Sequence, residues 1–117
     1  MSAIKKKSES CEEKLRRMCK SIADGITSPE MITDEETGEK RQKTAGDWME
    51  GTYAIRYYVD REQQYLGAEI MVAGGGPTIW VNTYTGYVEG YWGGDKVLEP
   101  FRDELDLDGY CEELYGC

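Results

Sequence analysis

Few residues of this 117-residue chain could perform covalent chemistry. The chain contains no histidine, which removes the Ser-His-Asp and Cys-His nucleophile systems. Two carboxylates on neighbouring predicted strands, Glu69 and Glu89, could act as an acid and a base. The same positions suit exposed polar side chains, and we favour that interpretation. We therefore expect the protein not to be an enzyme.

Four cysteines are the other reactive side chains. Cys11 and Cys19 are eight residues apart, and Cys111 and Cys117 are six apart. Zinc-binding cysteine pairs usually have about two to four intervening residues, so these spacings disfavour a metal site. The N-terminal region also lacks the apolar stretch of a secretory signal. We expect reduced, independent thiols in a cytoplasmic protein, and no cofactor.

The segment Gly74–Gly76 lies in the sequence "AGGGPTIW". A phosphate-binding loop needs a following lysine and a helix so that its amides converge on the phosphates, and this segment has neither. We interpret it as a tight connection between strands. An alternative is that the glycines and the neighbouring aromatic residues form the pocket of a protein that sequesters a nucleotide signal.

An amphipathic N-terminal helix is predicted from Ser8 to about Asp24, with Ser8 or Ser10 as its cap and Gly25 as its end. Its apolar residues recur at steps of three and four, which places them on one face. These residues are Cys11, Leu15, Met18, Cys19 and Ile22. The polar residues 27–46 are predicted to form a loop, either mobile or containing a short hairpin around "EETGEK".

After Trp48 the apolar period changes to two, which is typical of half-buried strands. The pattern predicts an antiparallel meander of about four strands, after which "GGDKVLEP" leaves the sheet. The alternating positions on one face are Tyr53, Ile55, Tyr57, Val59, Leu66, Ala68, Ile70, Val72, Ile79, Val81, Thr83, Val88, Gly90 and Trp92.

The end of the chain, "FRDELDLDGYCEELYGC", predicts an acidic helix that Gly109 could interrupt. Its expected apolar side consists of Phe101, Leu105, Tyr110 and Leu114. Together these elements predict a single α+β domain over residues 1–117, with helices packed against an antiparallel sheet.

The formal net charge of −9 argues against direct binding to nucleic acid, which requires a basic face. We also expect no membrane partner, because no apolar run approaches the roughly 20 residues of a membrane span.

The chain has nine tyrosines and three tryptophans but one phenylalanine, and tyrosine and tryptophan are enriched at protein interfaces. The candidate partner-binding residues are Trp80, Tyr87, Tyr91, Asp103, Glu104, Asp106, Asp108, Glu112 and Glu113. Alternatively, the aromatic residues cover the sheet and the acids form a solvated face.

The runs "GGPTIWVNT", "GYVEGYWGGD" and "DGYCEELYGC" are similar to those of small proteins encoded by phages and mobile elements of Gram-positive bacteria. The resemblance covers about Ala68 to Tyr115. It implies an inhibitor of host defence, such as an anti-CRISPR protein that binds a Cas nuclease and blocks its DNA or RNA site as a DNA mimic. It supplies no catalytic residues. A structural or accessory phage protein is a further alternative.

Overall fold

A computed structural model describes residues 9–117, and it confirms the α+β fold class. The chain forms three helices and two antiparallel sheets within these residues. In chain order the elements are α1 (Cys11–Thr27), β1 (Met31–Thr33), β2 (Lys40–Gln42), α2 (Ala45–Met49), β3 (Ala54–Val59), β4 (Tyr65–Ala73), β5 (Thr78–Asn82), β6 (Tyr87–Trp92), β7 (Asp95–Pro100) and α3 (Leu107–Gly116).

Helix α1 begins as predicted at a serine cap, since the Ser10 hydroxyl accepts the Glu13 N–H at 3.1 Å. Ser8, the other predicted cap, lies outside the described residues. The predicted end at Gly25 is wrong, because the helix continues to Thr27. Packing accounts for the extra turn: Ile26 is fully buried, and its burial offsets the roughly 1 kcal/mol that a glycine costs a helix. The buried stripe is Leu15, Cys19, Ala23 and Ile26, whereas Cys11 is exposed.

The polar residues 27–46 contain the predicted hairpin, with Ile32 paired to Arg41. The following short helix, α2, was not predicted. Thr44 and Asp47 form a reciprocal cap at its start. The Arg41 guanidinium binds Asp47 at 2.6 Å and Asp34 at 3.3 Å, which ties the hairpin to α2. The hydrogen bond from Arg41, followed by those from Thr44, holds the pKa of Asp47 well below its usual range.

The main sheet has five antiparallel strands in sequence order, β3-β4-β5-β6-β7. The fifth strand is a correction, because "GGDKVLEP" does not leave the sheet. Instead the chain turns at Gly93, which has a φ of 60°, and pairs back on β6 with Val97 opposite Gly90. Three of the predicted inward positions are exposed, namely Tyr53, Val59 and Leu66. Tyr53 precedes β3, and an irregularity in the β3–β4 pairing follows Tyr58.

Helices α1 and α3 pack on the same face of this sheet, which we call the inner face. Helix α1 lies over β6 and β7, and α3 lies over β4. A side chain at Gly90 would place its Cβ 2.5 Å from the Cys19 Sγ, so glycine allows α1 to approach the sheet closely. The core residues of the inner face include Ala68, Ile70, Ile79, Val81, Val88 and Val97, all between 0% and 1% exposed.

Helix α3 begins at Leu107, six residues later than the predicted segment. Asp106 adopts a left-handed conformation with a φ of 57°, so the chain before it cannot continue as a right-handed helix. The predicted apolar side is also partly wrong. Leu107 and Cys111 are buried against the core, whereas Leu114 is 40% exposed. Within residues 9–117, no helix has the length and apolar character needed to cross a membrane.

Candidate interaction surface

The opposite side of the five-stranded sheet, which we call the outer face, is covered by neither α1 nor α3. Strand pairing aligns its side chains in rows across the strands. One row joins Arg56, Glu69, Asn82 and Tyr87, and the next joins Met71, Trp80, Glu89 and Leu98. Tyr91 and Lys96 pair in a third row. This surface therefore combines aromatic rings, carboxylates and cations on rigid strands.

Trp80 lies at the centre of the outer face beneath an arginine. The Arg56 guanidinium lies 4.0 Å from the centre of the Trp80 ring and forms an ion pair of 2.6 Å with Glu69. The cation–π contact and the ion pair together hold the guanidinium over the Trp80 ring. As a result Trp80 is 8% exposed. This predicted binding residue supports Arg56 and presents little free surface of its own.

A hydrogen-bonded network lies beside this stack. Asn82 is 1% exposed, and its Nδ2 donates to the Tyr58 hydroxyl at 2.8 Å and to the Glu89 Oε2 at 3.2 Å. The Tyr58 hydroxyl in turn donates to Glu69 at 3.2 Å. The Asn82 Oδ1 accepts the backbone N–H groups of Tyr84 and Thr85, which fixes the β5–β6 turn. Satisfied polar networks of this kind make a surface rigid.

Three tyrosines project from the outer face into solvent. Tyr84 is 56% exposed, Tyr87 is 40% and Tyr91 is 37%. Tyr84 stacks on Tyr58 with 5.0 Å between ring centres, and Lys96 lies 5.7 Å from the centre of the Tyr91 ring. The structure thus brings the predicted residues Tyr87 and Tyr91 together on one open surface.

The predicted acids of the C-terminal region divide into two groups. Three of them stabilise the fold. Asp103 accepts the backbone N–H groups of Leu107 and Asp108, and Asp106 accepts that of Gly109. The Asp108 Oδ1 accepts the hydroxyls of Tyr65 at 2.8 Å and Thr83 at 2.7 Å, which anchors α3 to the sheet.

The other three acids, Glu104, Glu112 and Glu113, are exposed to solvent. Glu104 approaches Arg102 at 3.6 Å. Because α3 packs on the inner face, its acids lie on the opposite side of the sheet from Tyr87 and Tyr91. The structure therefore separates the predicted acidic and aromatic residues into two surfaces.

The four cysteines are free thiols in two environments. Cys11 and Cys117 are exposed, whereas Cys19 and Cys111 are buried in the core. Burial raises the pKa of both core thiols to about 11. A thiol with such a pKa holds little thiolate at neutral pH and is a poor nucleophile.

A cleft of about 670 Å³ separates α1 from α2 and the hairpin. Trp48 and Ile22 contribute apolar surface to it, but its charged lining is Asp24, Glu30 and Glu50 against Lys43. A second cleft, of about 580 Å³ beside the β1–β2 turn, is also rich in acids. Both disfavour a phosphorylated ligand. The Gly74–Gly76 segment lines neither cleft.

Comparison with protein-family models, curated proteins and solved structures finds no match for this chain. The assignment of the outer face as an interaction surface therefore rests on the geometry described above.

Sequence reasoning had not included Arg56, Asn82 or Glu89 in the partner-binding set. The period-two alternation places Arg56, like Tyr58, opposite the aliphatic face, and that signal could have identified Arg56 as a residue of the outer face.

Proposed function

We propose that the protein binds another protein through its outer face and thereby inhibits a nucleic-acid-targeting defence nuclease. A Cas nuclease is the leading candidate, and binding would block its DNA or RNA site. In this proposal the tyrosines of the outer face make the direct contacts. The exposed acids of α3 act at longer range.

One observation carries the protein-binding part of the proposal. Neither α1 nor α3 covers the outer face, which presents three exposed tyrosines, Tyr84, Tyr87 and Tyr91, above a satisfied polar network. Tyrosine buries a large area at a small cost in side-chain entropy, which is why it is enriched at binding hot spots. Strand β6 holds Tyr87 and Tyr91 in place, and Tyr84 lies on the β5–β6 turn, where it stacks on Tyr58. Little ordering is therefore required when a partner binds.

The class of partner follows from charge and from the sequence resemblance. A formal charge of −9 attracts basic surfaces, and nucleases carry basic grooves that bind phosphate backbones. Attraction of this kind accelerates association and weakens as salt rises. The resemblance to small phage-encoded proteins supports a defence nuclease as the owner of the groove.

The test is cleavage by a panel of purified Cas nucleases loaded with guide RNA, with and without the protein. We expect the wild type to inhibit at least one nuclease. The double variant Tyr87→Ala with Tyr91→Ala should bind that nuclease at least tenfold more weakly, about 1.4 kcal/mol. Tyr53→Ala is the matched control, since Tyr53 is 70% exposed but precedes β3 on the alternation of the inner face.

Two results would count against the proposal. Full inhibition by the folded double variant would show that the outer face is not the docking surface. The target class would be overturned by two observations together. Every nuclease of the panel would cleave at its uninhibited rate in the presence of the wild type, and the wild type would retain no nuclease from the lysate of a defence-competent bacterium.

A further inference from the structure

We propose that the outer face receives an arginine side chain of its protein partner at Glu89, between Tyr87 and Tyr91. The inference rests on the proposed protein-binding function and specifies the chemistry of the partner at one position. It identifies Glu89 as the acceptor of a cation that no residue among 9–117 supplies as an ion-pair partner.

The outer face already shows how it binds a guanidinium. Arg56 lies on the Trp80 ring at 4.0 Å while its Nη2 contacts the Glu69 carboxylate at 2.6 Å. The ring comes from β5 and the carboxylate from β4, so adjacent strands supply the two halves of the site. The guanidinium thus satisfies a carboxylate that retains 15% side-chain exposure.

Glu89 has the same kind of surroundings, but the guanidinium over its register partner Trp80 pairs with Glu69 instead. Trp80 and Leu98 are its register partners on either side, and Tyr87 and Tyr91 are two positions away along β6. Its Oε2 accepts from Asn82 at 3.2 Å and lies 3.5 Å from the Thr85 hydroxyl. Among residues 9–117, no donor binds its Oε1, and no lysine or arginine forms an ion pair with it. A half-buried carboxylate in this position lacks the partner that Glu69 has.

The dimensions suit arginine. Residues two apart on a strand are separated by about 6.7 Å, so a planar group directed at Glu89 can lie against a tyrosine ring on either side. Arginine offers a planar fork of donors for the carboxylate and stacks on aromatic rings, whereas lysine offers a compact and strongly hydrated charge. Lys96, a second cation of the outer face, lies over Tyr91 and forms no ion pair with a described residue.

The test uses a blocked tripeptide, acetyl-Gly-Arg-Gly-amide, titrated into isotope-labelled protein and followed by amide NMR. The matched peptides contain lysine or citrulline in place of arginine, since citrulline keeps the shape and removes the charge. We expect the arginine peptide to shift the amides of residues 87–91 and to bind at least tenfold more tightly than the citrulline peptide. The lysine peptide should bind more weakly than the arginine peptide.

Two protein variants complete the test. Glu89→Gln keeps an oxygen that can accept from Asn82, so the fold should survive, but arginine-peptide binding should fall at least tenfold. Glu39→Gln removes the same charge at an exposed position in the β1–β2 hairpin and should bind as wild type. Equal binding of the arginine and citrulline peptides, equal binding of the lysine peptide, or unchanged binding by Glu89→Gln would each overturn the arginine site.

The nuclease assay separates this inference from the proposed function. Inhibition that requires Tyr87 and Tyr91 but is unchanged in Glu89→Gln would keep the function and reject the arginine site. Arginine-specific binding at Glu89, without inhibition of any nuclease, would keep the site and reject the proposed target.

Discussion

The two faces of the five-stranded sheet are built from different side chains. On the inner face Ile70, Ile79, Val81 and Val88 are fully buried under two helices. On the outer face buried area is confined to the centre, where Arg56 covers Trp80 and hydrogen bonds enclose Asn82. Apolar burial is the dominant source of folding stability, so stability should come mainly from the inner face. The outer face can then carry exposed rings and a carboxylate that forms no ion pair within residues 9–117, because most of the apolar burial lies on the other side of the sheet.

The first prediction is the largest effect and tests this division directly. Ile70→Ala should lower the free energy of unfolding by about 2–5 kcal/mol, because it removes apolar surface and leaves a cavity in a packed core. Tyr87→Ala should cost less than about 1 kcal/mol, since Tyr87 is 40% exposed. Urea denaturation of both variants measures the difference. Equal losses would show that the outer face is also covered in the folded protein.

Much of the inner face could be predicted from the sequence. Alternation at Ile55, Ala68, Ile70, Ile79 and Val88 required only the period of a half-buried strand, which local sequence carries. The fifth strand was missed because "DKVLEP" contains a lysine, a glutamate and a proline, and it shows little alternation. It pairs with β6 only because the turn at Gly93 returns the chain. Pairing of this kind depends on tertiary packing more than on propensity.

The second prediction concerns the contact between α3 and the sheet. Asp108→Ala should cost about 1.5–3 kcal/mol of stability, because the hydroxyls of Tyr65 and Thr83 lose a charged acceptor. Glu112→Ala, the matched control on the exposed side of the same helix, should change stability by less than about 0.5 kcal/mol. Thermal unfolding of the two variants gives the comparison. If Asp108→Ala is as stable as Glu112→Ala, Asp108 does not anchor the helix.

The different roles of these acids could not be predicted from the sequence. Asp108 and Tyr65 are 43 positions apart, and nothing in the local pattern links them. Glu89 is a similar case. Its surroundings depend on the register that places Trp80 on one side and Leu98 on the other, and a shift of one residue would direct Glu89 to the other face. Composition could suggest tyrosines and acids as candidate binding residues, but register and helix packing determine which of them share a surface.

The third prediction is the smallest effect and tests whether the acids of α3 touch the partner. Glu112→Lys with Glu113→Lys changes the charge by +4, from −9 to −5, on exposed side chains that make no described ion pair. The fold should therefore survive. If the tyrosine surface makes the direct contacts, the reversal should slow association a few-fold at low salt and leave dissociation nearly unchanged, because remote charges act mainly on the encounter rate. The difference should disappear near 0.3 M salt, where screening shortens the range of these charges. Association and dissociation rates for the inhibited nuclease, measured across a salt series, provide the test. A tenfold loss of affinity that persists at high salt would place α3 in the interface itself, and phosphate mimicry by Glu112 and Glu113 would then account for binding better than the outer face does.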